Sequence, residues 1–308
     1  MTIRDVSFYS DGLKLDGLLH VSAEGRKAPV LVVCSGLHGL KEWVPTKWAP
    51  AALAAGFHVF AFDYRGFGTS EGQRGRILPE EEVRDAIHAL DSLKGLDEVD
   101  PERIAMLGWG LGAGVAICAA VRDPDVAAVC SANGAGDYGR TVRDATEYPR
   151  LLHWWDRLRK DRLDRARTGI SQKVDYRAIT NPGADAGFDL HPQFQKDIRS
   201  LGQEPIPEFT LESCEAYAAF RPEEVVARQA PRPFLIVHGE RNHYMPVSEA
   251  HRLYEAAGPG RELRIYPGQA HLEMISPDNP ASADFMRETV GWLFEAVTRS
   301  RKESSWSR

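Results

Sequence analysis

The chain has 308 residues, 27% charged and 43% hydrophobic, with a net charge of −6. That length and balance suit a globular protein with room for one large α/β domain, and the acidic excess gives no ground for nucleic acid or an anionic membrane as partner. No apolar run approaches the ~20 residues that span a bilayer, and Met1 to Asp5 show no basic stretch leading into an apolar core, so the expected location is the cytoplasm.

Residues 5–10 and 13–22 are predicted as opening strands, joined by the turn signal Ser10-Asp11-Gly12. The continuous apolar run at 29–34 suits a buried central strand. A helix is expected over 43–55, a strand over 58–63, and a helix over 79–93 with Pro79 in its first turn. The strand at 103–107 runs straight into Gly108-Trp109-Gly110-Leu111-Gly112, and a helical stretch follows at 113–121. Residues 126–132 are the next strand. The alternation then breaks. Residues 134–215 are polar, aromatic and rich in Arg and Asp, too long for a loop, and are expected to form an inserted, mainly helical cap. The rhythm returns with a strand at 233–238, a helix at 247–257, a strand at 262–266 and a helix at 281–298, before a polar, frayed tail at 299–308. Alternating strands and helices predict a mostly parallel sheet with helices on both faces, built from residues 1–133 and 216–298 around the cap.

The four cysteines, Cys34, Cys118, Cys130 and Cys214, form no C-x-x-C pair and are expected to be buried hydrophobes. Cys34 is the one that ends a strand close to the proposed site. With no G-x-G-x-x-G opening a first βα unit, no Walker motif and no metal-ligand cluster, neither cofactor nor metal is expected. Arg157, Arg159, Arg162, Arg165 and Arg167 alternate with Asp156, Asp161 and Asp164, mostly as a solvated, ion-paired helix face.

Strand, G-x-S-x-G, helix is the nucleophile elbow, a tight turn that lifts a serine hydroxyl over the end of a sheet. Here the nucleophile position holds Gly110. Three more pieces occur in order: Phe62-Asp63-Tyr64-Arg65-Gly66-Phe67-Gly68-Thr69-Ser70, then Val237-His238-Gly239 with Pro246, then Gly268-Gln269-Ala270-His271. On these residues the chain resembles an α/β-hydrolase-fold protein with a cap after its sixth main strand, over nearly its whole length outside the cap interior. The resemblance implies a mostly parallel eight-stranded sheet and a Ser, Asp or Glu, and His triad in that chain order. In the spacing H-G-x-x-D-x-x-x-P, the stretch from His238 to Pro246 puts Asn242 where the resemblance implies a carboxylate. His271 is kept. The resemblance also implies an oxyanion hole from the backbone amides of Leu111 and, in the loop Ser35-Gly36-Leu37, of Leu37.

His271 can act as acid or base. Asn242 is expected to accept the imidazole Nδ1–H through its side-chain oxygen, leaving a weaker base suited to an already acidic proton. Six further residues are candidates for substrate contact, each with a plainer reading beside it. Ser35 faces the pocket or bonds the loop backbone, and His38 touches substrate or is structural. Trp109 lines the pocket or packs in the core, and Asp137 is a displaced carboxylate or a cap hinge. Trp154 and Trp155 form an aromatic lid or pack cap to core. Glu240 and His243 are expected to face solvent, and Tyr64 and Arg65 to be structural. Three functions follow. The first is a His-dependent lyase, eliminase or cyclase acting on a small carbonyl-containing, polyketide-like metabolite. The second is an ester or thioester hydrolase working without serine, and the third is a binding protein with a dead site. The expected partner is a partly apolar small molecule, with the chain a monomer or homodimer.

Overall fold

The computed structural model describes residues 2–22, 27–182 and 192–305. In chain order the strands are β1 (Thr2–Ser10), β2 (Leu13–Val21), β3 (Ala28–Cys34), β4 (His58–Phe62), β5 (Val99–Trp109), β6 (Val126–Ala132), β7 (Lys173–Asp175), β8 (Glu208–Thr210), β9 (Phe234–Gly239) and β10 (Arg261–Tyr266). Eight of them form one sheet in the order β1-β2-β4-β3-β5-β6-β9-β10, while β7 and β8 pair separately. β2 runs antiparallel to both β1 and β4, and the remaining neighbours are parallel. This is the mostly parallel sheet expected from the alternation. Every residue of β3 and β4 is buried, as central strands covered on both faces require.

The helices are α1 (Val44–Ala55), α2 (Pro79–Lys94), α3 (Leu111–Arg122), α4 (Tyr138–Asp144), α5 (Tyr148–Thr168), α6 (Pro192–Ser200), α7 (Leu211–Ala219), α8 (Val247–Ala256) and α9 (Ser282–Ser305). α1 packs with α9, and α2 with α3. Among the described residues no helix is long and apolar enough to cross a membrane.

Several element ends differ from the sequence expectation, β5 and α9 by the most. β5 begins at Val99 rather than 103, because Val99 pairs with Ala28 of β3 across a polar stretch that shows no strand periodicity. α9 runs on to Ser305 through residues expected to be a frayed tail, whose composition is as compatible with helix as with coil. Residues 306–308 lie outside the described residues, as do 183–191 of the expected cap.

The stretch between β6 and β9 is mainly helical. α5 buries Leu151, Trp154 and Leu158 along one stripe and ends at Gly169 in the left-handed conformation. Asp161 departs from the expected solvated face. It is buried, and it accepts Gln172 N at 2.7 Å, Ser171 Oγ at 2.9 Å and Arg165 at 2.8 Å, satisfying the chain where it leaves the helix.

Candidate functional site

β5 ends at Trp109 and α3 starts at Leu111, so one residue, Gly110, makes the turn, with φ 58° and ψ −119°. The flanking glycines answer to crowding. A Cβ on Gly108 would strike the Gly112 carbonyl, and one on Gly112 would strike the carbonyl oxygens of Cys34 and Ser35. The turn is held by Gly110 N donating to the Ala132 carbonyl at 3.0 Å and by the Tyr138 hydroxyl donating to the Gly110 carbonyl at 2.6 Å. The sequence reading did not single out Tyr138, because it comes from α4, far along the chain.

No such crowding explains Gly110. A Cβ there would meet His271 Nε2 at 3.4 Å, Cε1 at 3.6 Å and Gly36 Cα at 4.0 Å, all ordinary contacts. His271, 8% exposed, stands over the elbow with its ring edge-on to Trp109 and Tyr244, each at 5.3 Å. Its loop is pinned by Asn133, at the end of β6 with φ 51°: Nδ2 donates to the His271 carbonyl at 3.1 Å and Oδ1 accepts Gly239 N at 2.9 Å. Asn133 was also missed. Its signal was the Asn133-Gly134 turn pair directly after an apolar strand.

Asn242 is beside His271 as expected, but its amide is turned the other way. Its Oδ1 is taken by the backbone amides of Tyr244 at 3.1 Å and Met245 at 3.0 Å, while Nδ2 stands 3.0 Å from His271 Nδ1. Two backbone donors require an oxygen opposite them, so the amide nitrogen faces the ring and donates to Nδ1. The expectation that Asn242 accepts from Nδ1–H is therefore corrected.

The loop after β3 lies against the elbow, with the Cα of Gly36 near the open space above Gly110. Among the described residues the amides of Leu37 and Leu111 have no acceptor, Leu111 because it is the first residue of a helix. Ser35 is buried and its hydroxyl donates to the His38 carbonyl at 3.3 Å, so it serves the loop rather than the pocket. Cys34 is fully buried, and burial pushes its thiol up to about 12. All four cysteines are buried and free.

His38 packs against Tyr176 at 5.4 Å and Phe209 at 5.7 Å, two rings from the stretch between β6 and β9. Burial pushes its imidazole from the ordinary 6.5 down to about 3. The folded state thus keeps His38 neutral while the unfolded chain protonates below about pH 6.5, and stability falls as pH drops through that window, by about 1.4 kcal/mol per pH unit per proton. His38→Phe is expected to remove one proton from that dependence, read as a smaller difference between denaturant midpoints at about pH 5 and pH 7.

Of the other candidates, Trp109 meets His271, whereas Asp137, Trp154 and Trp155 make their contacts elsewhere. Asp137 caps α4 by accepting Arg140 N at 2.9 Å and pairs with Arg143 at 3.2 Å and Arg221 at 3.6 Å. Its carboxylate is thus committed to the α4 cap and to two arginines. Trp154 is buried within its own stretch under the Arg157 guanidinium at 5.8 Å. Trp155 is half-buried in a groove of about 480 Å³ with Leu158, Arg159 and Ala218. Among the described residues, the rings that pack on His38 are those of Tyr176 and Phe209. Trp109 is both buried in the core, against Trp48 at 6.2 Å, and in contact with His271. Glu240 and His243 are exposed.

The elbow, the loop after β3 and the loop carrying His271 meet at the carboxyl ends of the parallel strands, where open α/β sheets bind ligands, and together they mark the α/β-hydrolase fold. The family model for serine aminopeptidase, S33, matches residues 25–278, and the chain belongs to that family. It is 24% identical over 298 residues to the acyltransferase drtE of Aspergillus calidoustus, covering 93% of this chain and 92% of that protein. It is 26% identical over 282 residues to the polyketide transferase ATR5 of Stachybotrys chlorohalonatus, covering 91% and 93%. The crystal structure of the α/β-hydrolase GrgF from Penicillium sp. superposes with a TM-score of 0.75 at 22% identity, covering 94% of this chain and 99% of that one.

Proposed function

We propose that this chain is a serine-free enzyme of secondary metabolism that carries out elimination or cyclisation on a small, partly apolar, carbonyl-containing metabolite of polyketide type, with residues 134–215 as its cap. One observation carries the reading. A Cβ on Gly110 would find only ordinary contacts, 3.4 Å from His271 Nε2 and 4.0 Å from Gly36 Cα, yet glycine puts no attacking atom there. A covalent acyl-enzyme needs a nucleophile at that point. Ser35, bonded to the His38 carbonyl, and Cys34, a buried thiol, do not replace it. What remains suits negative charge developing on a substrate oxygen: the Leu37 and Leu111 amides, the end of α3 and the His271 ring. Similarity to an acyltransferase and a polyketide transferase supports the substrate class.

The test is incubation with N-acetylcysteamine thioesters of short poly-β-keto acids in ¹⁸O-water, read by mass spectrometry. The expected product is isomeric with the substrate or short of one water, without ¹⁸O in a carboxylate. His271→Ala is expected to lower its rate by about 10²–10³-fold, the usual weight of one donor to a developing oxyanion. A labelled free acid would identify a hydrolase instead. Thioester binding with no product would identify a dead site.

A further inference from the structure

The Asn242 amide is fixed in one sense by backbone N–H groups that can only donate: Tyr244 N and Met245 N occupy Oδ1, and Nδ2 donates to His271 Nδ1 at 3.0 Å. A ring nitrogen that accepts carries no proton, so the single proton of the neutral imidazole is on Nε2. Nε2 is the ring atom nearest the open space above Gly110. A carboxylate at 242 would do the reverse, taking Nδ1–H and leaving a lone pair on Nε2 as a base. A ring charged at both nitrogens would set Nδ1–H against the amide N–H of Asn242, donor against donor.

We propose that Asn242 is a positioning residue that turns His271 from a base into a hydrogen-bond donor, and that Nε2–H joins the Leu37 and Leu111 amides in holding a planar oxyanion, the enolate of a 1,3-dicarbonyl unit. The proposal rests on the serine-free reading above and names its substrate class. These three donors cannot themselves pull a proton from a simple ketone or ester. A 1,3-dicarbonyl needs no strong base: its central C–H gives the proton to water, the electron pair spreads over both oxygens, and nothing is oxidised or reduced. Neutral imidazole is a competent electrophile for such an oxygen. Among the described residues, Tyr244 contacts the ring at 5.3 Å, His243 packs on Tyr244 at 4.6 Å, and the charge of Glu273 acts on His243.

The test uses whole protein labelled with ¹⁵N-histidine, with 2,4-pentanedione as probe and acetate as comparison anion. The nitrogen shifts of His271 are expected to show a bare Nδ1 and a protonated Nε2. The dione is expected to bind as its enolate, seen by the enolate absorbance and by release of one proton to buffer. Asn242→Asp keeps an acceptor for Tyr244 N and Met245 N, so the loop stays folded. It moves the ring proton to Nδ1 and weakens enolate binding at least tenfold at about pH 8, with recovery on acidification as Nε2 regains a proton. A merely structural Asn242 would give neither the tautomer switch nor the pH-dependent recovery. An Nδ1–H tautomer in the starting protein, equal enolate affinity in the two proteins, or acetate binding as tightly as the enolate would each overturn the proposal. These arms need no turnover, so they fail separately from the elimination reading, which is judged by product mass.

Discussion

Gly110→Ser combined with Asn242→Asp is expected to raise p-nitrophenyl acetate hydrolysis by about a thousandfold or more, while each change alone stays close to the starting protein. Removing a complete triad from a serine hydrolase costs about a millionfold, and its members act as a unit, so recovery in an untuned pocket should be partial but strongly cooperative. Serine alone places its hydroxyl beside a ring nitrogen that already carries a proton, so nothing accepts the hydroxyl proton. Aspartate alone prepares Nε2 as a base with nothing to deprotonate. Together they supply both halves.

The space permits the change, since a Cβ on Gly110 meets nothing closer than His271 Nε2 at 3.4 Å. The backbone exacts a cost, because φ 58° with ψ −119° is a conformation that side-chain-bearing residues avoid, and about 1–3 kcal/mol of stability should be lost with Gly110→Ser. Thermal unfolding checks that the double variant is folded before its rate is judged. A folded double variant with rates at buffer level would mean that the amides of Leu37 and Leu111 do not serve acyl chemistry, and a binding role would become the better reading.

The fold was legible because its signals are local. β3 announces itself as an unbroken apolar run, and the elbow is readable from two glycines whose missing side chains leave room for the carbonyls of Cys34, Ser35 and Gly112. The start of β5 was not legible, since it depends on pairing with β3 rather than on its own pattern. At the site, Gly110, Asn242 and His271 were readable through the resemblance to the α/β-hydrolase motifs. The sense of the Asn242 amide was not, because two backbone donors at 244 and 245 decide it, and those exist only once the loop is folded. Tyr138 and Asn133, which hold the elbow and the histidine loop, were invisible for the same reason: each acts on a residue more than twenty positions away. Sequence spacing thus names which side chains meet, whereas hydrogen-bond polarity, on which the chemistry turns, is a property of the assembled loops.

Asp63→Ala is expected to cost about 3–5 kcal/mol, the usual penalty for stranding a buried charge, and to lower the midpoint of thermal unfolding by on the order of 10 °C. Asp63, 2% exposed, follows β4 and is wholly committed: Oδ1 accepts Lys41 N at 2.8 Å, and Oδ2 accepts Lys41 Nζ at 2.5 Å and Thr69 N at 3.1 Å. Its carbonyl accepts Ser70 Oγ at 2.6 Å, and that hydroxyl in turn accepts Asp16 N at 2.9 Å. One carboxylate therefore ties the loop carrying Leu37 to the loop after β4. Gly68 lacks a side chain because the Asp63 carboxylate fills the space a Cβ would need. Removing the carboxylate leaves the Lys41 ammonium, whose side chain is 10% exposed, without its counter-charge and releases the donor loop. Lys41→Met added to Asp63→Ala should recover part of the stability, because the stranded charge is then gone. It should not recover catalysis in the Gly110→Ser, Asn242→Asp background, where the loosened Leu37 amide would appear as a fall in kcat larger than any rise in KM. A stability loss below about 1 kcal/mol for Asp63→Ala, the level of an exposed pair, would mean that water screens Lys41 and that the donor loop is held by its backbone bonds alone.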